Sequence, residues 1–530
     1  MLALIAYLAP LAFLLAALFA YRGPDFRPGQ TLAYAELAAV AAFGIALGCL
    51  VMLIGAGAVS SPTIGSDILG LATRIDAVSV TMMALVSAVG WVVIRFSNTY
   101  LDGERAQGAF MGHLCMTLAC VLLFVQAGTL FQLVAAWIGA GTFLNKLLLF
   151  YPQRVDAQRA GRKKAISARF GDTALVLAAL CLAFTYDTAN IAAILEAARA
   201  GDGGVLAMVA AALLAFSALF KSAQFPTHGW LTEVMETPTP VSALLHAGVI
   251  NAGGFILIRF ADVMLLAPGV LAALVIIGGF TALFGGLVML TASAVKTSLA
   301  WSTVAQMGFM ILQCGLALFP LALLHIVAHS LYKAHAFLAS GGTVDLVASI
   351  KRPGPVAIPD GWAVLRAFAS AIILFLIVGL TFGFAGKSPQ AIALGAILIF
   401  GVAYLLAQGL ADDAPSALTV RTGIASALTA TAYFALQSLA DLLLLGTLPA
   451  TPAPGPLEWA LITLAVISFG LVAWAQALFP LWAYHPAAAG LRVHLSNGLY
   501  ANAVFNRLLN AWSSNSVSRQ RAAAAPKNAS

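Results

Sequence analysis

The fold is decided by a short stretch between two long apolar segments, residues 220–230, with the sequence FKSAQFPTHGW. A lysine within a spanning helix costs about 2.5–3.5 kcal/mol or more, so Lys221 must face a partner or water. Gln224 and Pro226 interrupt the helix just after it and free backbone groups that must be satisfied inside the protein. Transporters build ion paths from charges beside broken helices. The stretch therefore predicts a membrane protein that translocates ions.

The composition indicates an all-α, polytopic membrane helix bundle. Of 530 residues, 62% are apolar and 9% charged, whereas soluble domains carry about 25% charged residues. A net charge of +7 would suggest a nucleic-acid partner in a soluble chain, but here basic cytoplasmic loops explain it and no nucleic-acid partner is expected. The five cysteines lie in apolar runs without a CxxC pair, which favours buried thiols over disulfides or metal ligands.

At about 20 apolar residues per span, the sequence predicts about fifteen transmembrane helices. Their approximate limits are 2–21, 32–57, 75–96, 109–127, 128–150, 170–187, 203–223, 240–260, 268–291, 296–318, 320–343, 361–385, 390–411, 421–446 and 457–480. The first is interpreted as a span rather than a signal peptide because no basic region precedes it. The short amphipathic segment 189–200 is predicted to lie at the membrane surface.

Basic residues collect after odd-numbered spans, whereas the links after even-numbered spans are short or acidic. The basic positions are Arg22, Arg27, Arg154, Arg159, Arg162, Lys163, Lys164, Arg169, Lys351, Arg352, Arg492, Arg507, Arg519, Arg521 and Lys527. By the positive-inside rule, this pattern predicts a periplasmic N-terminus and a cytoplasmic C-terminus. It also predicts that the link after the fifth span is a basic cytoplasmic loop.

The eleventh span carries His325, His329 and Lys333, which recur every four residues and therefore share one helical face. The column is about 12 Å long at 1.5 Å per residue. Histidine changes charge near neutral pH, so such a column can relay protons through intervening waters. Two alternatives stay open: a zinc site, which lacks a nearby cysteine or glutamate in the motif, and structural hydrogen bonding between spans.

Other ionisable residues near the spans have a structural interpretation as well as a functional one. His246, in the eighth span, can be a hydrogen-bonded core residue. Lys296 and Lys387 can extend to the membrane interface, and Asp172 can cap the sixth span. No GxxxxGK[ST] loop or CxxCH motif occurs, so neither direct use of ATP nor a c-type haem is expected. We predict no cofactor and no enzymatic activity in this chain.

Several motifs together resemble the NuoL/MrpA-type family of proton-translocating, antiporter-like membrane subunits. They are IDAVS at 75–79, KSAQ at 221–224, ETPTPVSALLHA at 236–247, KTSLAWSTVAQMG at 296–308 and HIVAHSLYK at 325–333, with a looser match of GFAGK at 383–387. The resemblance implies two inverted five-helix repeats that contain broken helices. It predicts five regions: 1–108 with helices 1–3, 109–262 and 263–411 as the repeats, 412–480 with the last helices, and 481–530 as a cytoplasmic tail.

The resemblance also implies a proton path. Its members are Lys221 and His246 in the first half-channel, His325, His329 and Lys333 in the link, and Lys387 at the far end, with Asp172, Glu233, Glu236 and Lys296 as supporting charges. One departure is clear, because the family places a glutamate that pairs with the broken-helix lysine where this chain has Ile138. Either Glu233 or Glu236 replaces this partner, or Lys221 has none, or the half-channel does not conduct.

Two stretches, HAGVINAGGF at 246–255 and HLSNGLYAN at 494–502, resemble the membrane subunits of DAB inorganic-carbon pumps. That resemblance implies a proton-conducting subunit in a bacterial inner membrane. Its partner would be a DabA-like zinc protein that hydrates CO₂ at the expense of the proton-motive force. The alternatives are an Mrp-type Na⁺/H⁺ antiporter subunit, a complex I subunit, or a membrane anchor that does not conduct.

Overall fold

The computed structural model describes residues 2–234, 237–342, 359–411 and 414–508. These segments form an all-α bundle with one two-stranded antiparallel pair, β1 (Val59–Ser60) and β2 (Arg74–Ile75). The helices are α1 (Leu8–Arg22), α2 (Gly29–Ala56), α3 (Ala77–Tyr100), α4 (Gln107–Val125), α5 (Leu130–Leu148), α6 (Val155–Tyr186), α7 (Ile191–Arg199), α8 (Gly204–Lys221), α9 (Gly229–Thr232), α10 (Thr239–Ala247), α11 (Ala252–Arg259), α12 (Ala261–Leu265), α13 (Pro268–Met289), α14 (Val295–Gly315), α15 (Phe319–Ala339), α16 (Gly361–Thr381), α17 (Pro389–Gly409), α18 (Ser416–Leu443), α19 (Pro456–Ala477), α20 (Phe479–Trp482) and α21 (Pro486–Ser496).

The described helices confirm a polytopic membrane protein. Thirteen helical segments are long and apolar enough to cross a membrane. Each of the predicted spans coincides with a helix or, for the eighth, with α10 and α11 together. The two that fall outside the thirteen are α14 and α18, which carry more polar residues. The total of fifteen, the inverted repeats and the five regional limits stay predictions.

One expectation about a loop is wrong. The basic segment after α5 is helical from Val155 onward, so α6 has 32 residues rather than the short span predicted at 170–187. Lys163 and Lys164 are buried in it, with 0% and 5% of their surface exposed. They face α5, α8 and the segment after α8, because α6 packs along these elements. Counting loop charges does not distinguish such a helix from a cytoplasmic loop.

The chain between α8 and α11 is interrupted twice. The helix α8 ends at Lys221, and the chain passes through the single turn of α9 before α10 begins. A second break, at 248–251, separates α10 from α11. At Gly253 the backbone of α11 approaches α8 so closely that a Cβ atom would lie 2.4 Å from Ser222 Oγ and 2.5 Å from the Ala218 carbonyl oxygen. This contact fixes the end of α8, and with it Lys221, against α11.

The apolar core is arranged in three groups. The largest packs α1 to α15 together, the second joins α16, α17 and α18, and the third fills the space among α13, α14, α15, α17 and α19. All five cysteines are unpaired, and four of them are buried. The ionisable groups described next lie within the first group or at its edge.

Candidate ion path

His325, His329 and Lys333 of α15 lie on one face, as the four-residue spacing predicts. The rings of His325 and His329 have centroids 5.9 Å apart. His329 and Lys333 are buried, with 5% and 0% of their surface exposed. The face points toward α10 and α14 rather than toward the outside of the bundle, because both residues make hydrogen bonds to those helices.

Lys333 is held by polar groups of α14. Its Nζ donates to the carbonyl oxygen of Leu299 at 2.9 Å and to the hydroxyl of Ser302. These partners are neutral, and no carboxylate forms an ion pair with Lys333 among the described residues. A buried lysine with neutral partners can change its charge without breaking an ion pair.

The hydrogen bonds of His246 define its neutral tautomer. The hydroxyl of Thr303 donates its single proton to the carbonyl oxygen of Leu299, so its oxygen accepts from Nδ1 of His246 at 3.0 Å. The proton of neutral His246 therefore lies on Nδ1, and Nε2 presents a lone pair. Nε2 is buried without a hydrogen-bond partner among the described residues. This nitrogen can accept a proton, and water is a suitable donor to it.

His329 and Ser330 connect α15 to the break between α10 and α11. His329 Nε2 donates to the carbonyl oxygen of His246 at 3.2 Å, since a carbonyl can only accept. Asn251, the last residue of this break, donates through Nδ2 to the hydroxyl of Ser330 at 2.9 Å. Asn251 Oδ1 is buried and has no described partner.

Lys221 lies against an aromatic ring instead of a carboxylate. Its Nζ is 4.2 Å from the ring centroid of Trp137 on α5, a distance typical of a cation–π contact. The indole Nε1 of Trp137 donates to Asp172 Oδ1 at 2.7 Å. Asp172 lies within α6, so the interpretation as a helix cap is wrong. Trp137 therefore contacts both Lys221 and Asp172.

A cavity of about 40 Å³ joins Lys221 to the polar groups near α15. Its wall includes Lys221, Trp137, Asn251 and Ser330 together with apolar side chains. One water needs at least about 10–15 Å³ and several polar partners, so the cavity has room for a few waters. The cavity therefore connects the break after α8 to Ser330, the residue that follows His329 on α15.

Glu233, one of the two acids considered as partners of Lys221, pairs with a different residue. Ile138 exposes 38% of its surface and lies on the outside of the bundle. Glu233 forms an ion pair with Lys163 at 2.5 Å and accepts from the amide of Asn502, so it serves a different lysine. Glu236 lies outside the described residues.

Lys387 and Lys296 lie apart from the cluster around His246. Lys387 follows α16, which is long enough to span a membrane by itself, and its Nζ pairs with Asp441 of α18 at 3.1 Å. Lys387 thus lies in the connection to α17 rather than within a spanning helix. Lys296 donates to the hydroxyl of Thr239, at the start of α10, at 3.1 Å.

Two family models match the chain. The model described as "NADH:quinone oxidoreductase/Mrp antiporter, TM" matches residues 127–351, and the one described as "NADH-Ubiquinone oxidoreductase (complex I), chain 5 N-terminus" matches residues 63–111. The probable inorganic carbon transporter subunit DabB2 of Halothiobacillus neapolitanus is 37% identical over 513 residues, which cover 91% of this chain and 90% of that protein. The chain belongs to the NuoL/MrpA-type subunits, in the DabB group.

Other relatives of the DabB-group chain agree with this placement. NADH-quinone oxidoreductase subunit L of Escherichia coli is 32% identical over 285 residues, 53% of this chain and 46% of that protein. The structure of the Mrp complex from Dietzia sp. DQ12-45-1b aligns with 98% of this chain and 61% of its own, with a TM-score of 0.58 and 21% identity, and so shows the same fold. The chain is a multi-pass, cation-translocating transporter subunit that works within a complex.

Sequence reasoning located most of the ionisable groups but missed their partners. The partners that it missed are Trp137, Asn251, Ser302, Thr303, Ser330 and Asp441. Hydroxyl and amide residues are common in such helices, so their sequence positions carry little signal. Asp441 is an exception, since a lone acid near the end of an apolar helix could have been singled out. In the described ranges no group of three or more His, Cys, Asp or Glu side chains is placed to hold a metal.

Proposed function

We propose that the chain is the proton-conducting membrane subunit of an energy-coupled inorganic-carbon uptake complex. Its partner would be a DabA-like zinc protein. Protons that move down their gradient through this chain would drive CO₂ hydration by that partner in one direction. The complex would lie in a bacterial inner membrane, with the N-terminus of this chain periplasmic and its C-terminus cytoplasmic.

One observation supports this proposal above the others. Proton-carrying and hydrogen-bonding groups run from the half-buried Lys221 through a cavity to the buried His329, His246 and Lys333, within a chain that is similar to DabB2 over 91% of its length. Each group in this series can gain or lose a proton or orient a water. The Lys387–Asp441 pair lies beyond the spanning helix α16 and suits the exchange of protons with one surface.

The conduction part of the proposal is tested by replacing Lys333. Lys333→Ala removes the lysine of this cluster, and we expect proton flux to fall roughly 10²-fold because a proton-transfer group has been removed. The flux is measured with a pH-sensitive dye in vesicles that contain the full chain in its native complex, after a potassium diffusion potential is applied. His335→Ala, on an exposed residue of the same helix, is the matched control and should keep the flux.

The coupling part is tested by purification. The tagged chain, taken from its own membranes, should bring with it a protein that contains zinc and hydrates CO₂. A partner without zinc, together with proton flux that follows an imposed Na⁺ gradient, would favour an Mrp-type antiporter subunit. Normal assembly and unchanged proton flux in Lys333→Ala would instead favour a membrane anchor, a role that the outward-facing Ile138 would suit.

A further inference from the structure

A second lysine of the first half-channel takes no part in the path described above. Lys164 lies on α6 among basic residues that resemble a cytoplasmic loop, and Arg162 beside it is exposed. Lys164 itself is buried, with 5% of its surface exposed. Its neighbour Lys163 has Glu233 as a counter-charge, but Lys164 donates to a neutral acceptor, the carbonyl oxygen of Gly141 on α5. A buried amine bonded to a neutral group is free to change its charge.

Gly141 of α5 lies close to the amines of both Lys164 and Lys221. A Cβ atom at Gly141 would lie 3.7 Å from Nζ of Lys221, while the carbonyl oxygen of Gly141 accepts from Nζ of Lys164. The two amines therefore approach one residue of α5. Asp172 lies within electrostatic reach of both amines. Among the described residues, the two amines share this one carboxylate.

A small cavity of about 20 Å³ lies between the two lysines. Lys164, Ser167, Lys221 and Trp230 supply its polar groups. The hydroxyl of Ser167 and the indole nitrogen of Trp230 are buried without a hydrogen-bond partner in the described part of the chain. One water needs about 10–15 Å³ and two to four polar partners, so the cavity fits a single bridging water.

We propose that Lys164 exchanges a proton with Lys221 through this cavity and is the proton partner that the chain uses in the absence of a glutamate at position 138. The inference rests on the proposed function, because it adds a residue to the same path. An N–H bond of one ammonium breaks, the bridging water passes the proton on, and an N–H bond forms at the other amine. No electron moves. Two ammonium charges this close, with Asp172 as their shared acid, repel each other in a low-dielectric site, so a state with one shared proton is favoured.

The experiment compares three variants of the full chain in its native complex with the vesicle assay described above. Lys164→Gln removes the proton carrier, and we expect the flux to fall roughly 10²-fold. Lys164→Arg keeps the charge, but the guanidinium holds its proton at every accessible pH. This variant should therefore lose as much proton flux as Lys164→Gln. Lys146→Gln, on an exposed lysine of α5, is the control and should keep the flux.

A variant that keeps both amines covers the case in which Lys164→Gln fails to assemble. Ser167→Ala keeps both amines and removes a buried cavity hydroxyl that has no hydrogen-bond partner in the described part of the chain. We therefore expect normal assembly and roughly a tenfold loss of flux, because the bridging water loses one hydrogen bond. Full flux in Lys164→Gln or in Ser167→Ala, or rescue by Lys164→Arg, would overturn the inference. If Lys221→Gln and Lys333→Ala also kept full flux, the proposed function itself would fail.

Discussion

Asp76 is held by two arginines at the start of α3. Arg259 contacts both of its oxygens, at 2.5 Å and 3.3 Å, and Arg74 contacts one at 2.6 Å. The backbone N–H of Ser79 also donates to this carboxylate, which completes a capping box. Burial raises the pKa of Asp76, but the two guanidinium groups outweigh it and hold the pKa well below its usual range. The residue joins α3 to α11, which carries Arg259.

We predict that Asp76→Asn destabilises the protein strongly. Removing one partner of a buried ion pair costs about 3–5 kcal/mol, so the thermal unfolding temperature of the purified complex should fall. Because the folded pKa is depressed, the stabilisation is complete above the unfolded pKa of about 3.9 and is lost as the pH falls through the folded value. The loss in Asp76→Asn should therefore be the same from pH 5 to pH 8. Asp67→Asn, on an exposed loop, is the control, and a loss that varied across this range would contradict the assignment.

At the scale of elements, the position of Lys221 depends on how α8 and α11 meet. The hydroxyl of Ser222 donates to the Ile250 carbonyl oxygen at 2.9 Å, and Gly253 allows the two backbones to touch. Trp137 reaches Lys221 from α5, so three elements define the place of one charged group. A shift of α8 would open the contact between the lysine and the indole ring.

We predict that Gly253→Ala lowers both conduction and stability. The added methyl group would lie 2.5 Å or less from two atoms of α8, so the end of that helix must move. A small displacement of a reacting group can cost on the order of 10²-fold in rate. Proton flux and the unfolding temperature are compared with those of Gly286→Ala, a helical glycine of α13 with no atom within 4 Å of the new Cβ. Equal flux in the two variants would show that this contact does not set the position of Lys221.

The sequence indicated the elements better than it indicated their ends. The spacing of His325, His329 and Lys333 fixed their common face, because helical geometry determines which residues share a side. The start of α6 could not be predicted, since a helix rich in basic residues looks like a cytoplasmic loop when only charges are counted. The burial of Lys163 and Lys164 depends on contacts with Glu233 and Gly141, which lie far away in the sequence.

At the scale of the whole molecule, the described polar groups form a route within the bundle instead of a straight pore. The route turns at the break between α10 and α11, where Asn251 reaches Ser330. It cannot be deduced from the sequence, because it depends on which polar side chains of α10, α14 and α15 meet. The family resemblance supplied its ionisable members, and the fold supplied the hydroxyl and amide groups between them.

The predicted orientation can be measured with reporter fusions in intact cells. Green fluorescent protein fused after residue 530 should fluoresce, since it folds only on the cytoplasmic side. Alkaline phosphatase placed in the link between α2 and α3 should be active, because that link is predicted to be periplasmic. Exchanging the two reporters at these sites gives the control, in which both should be inactive. The reverse pattern of activities would overturn the orientation.

The last part of the described chain reaches back to the first broken helix. Asn502 accepts from Lys163 at 2.8 Å, donates to Glu233 at 2.5 Å, and lies where a Cβ atom of Gly229 would be. Lys163 and Glu233 are both translated well before Asn502, which follows Glu233 by 269 residues. Until the final helices are inserted, Lys163 and Glu233 lack their hydrogen bonds to the side-chain amide of Asn502, and Asn502 does not yet cover Gly229.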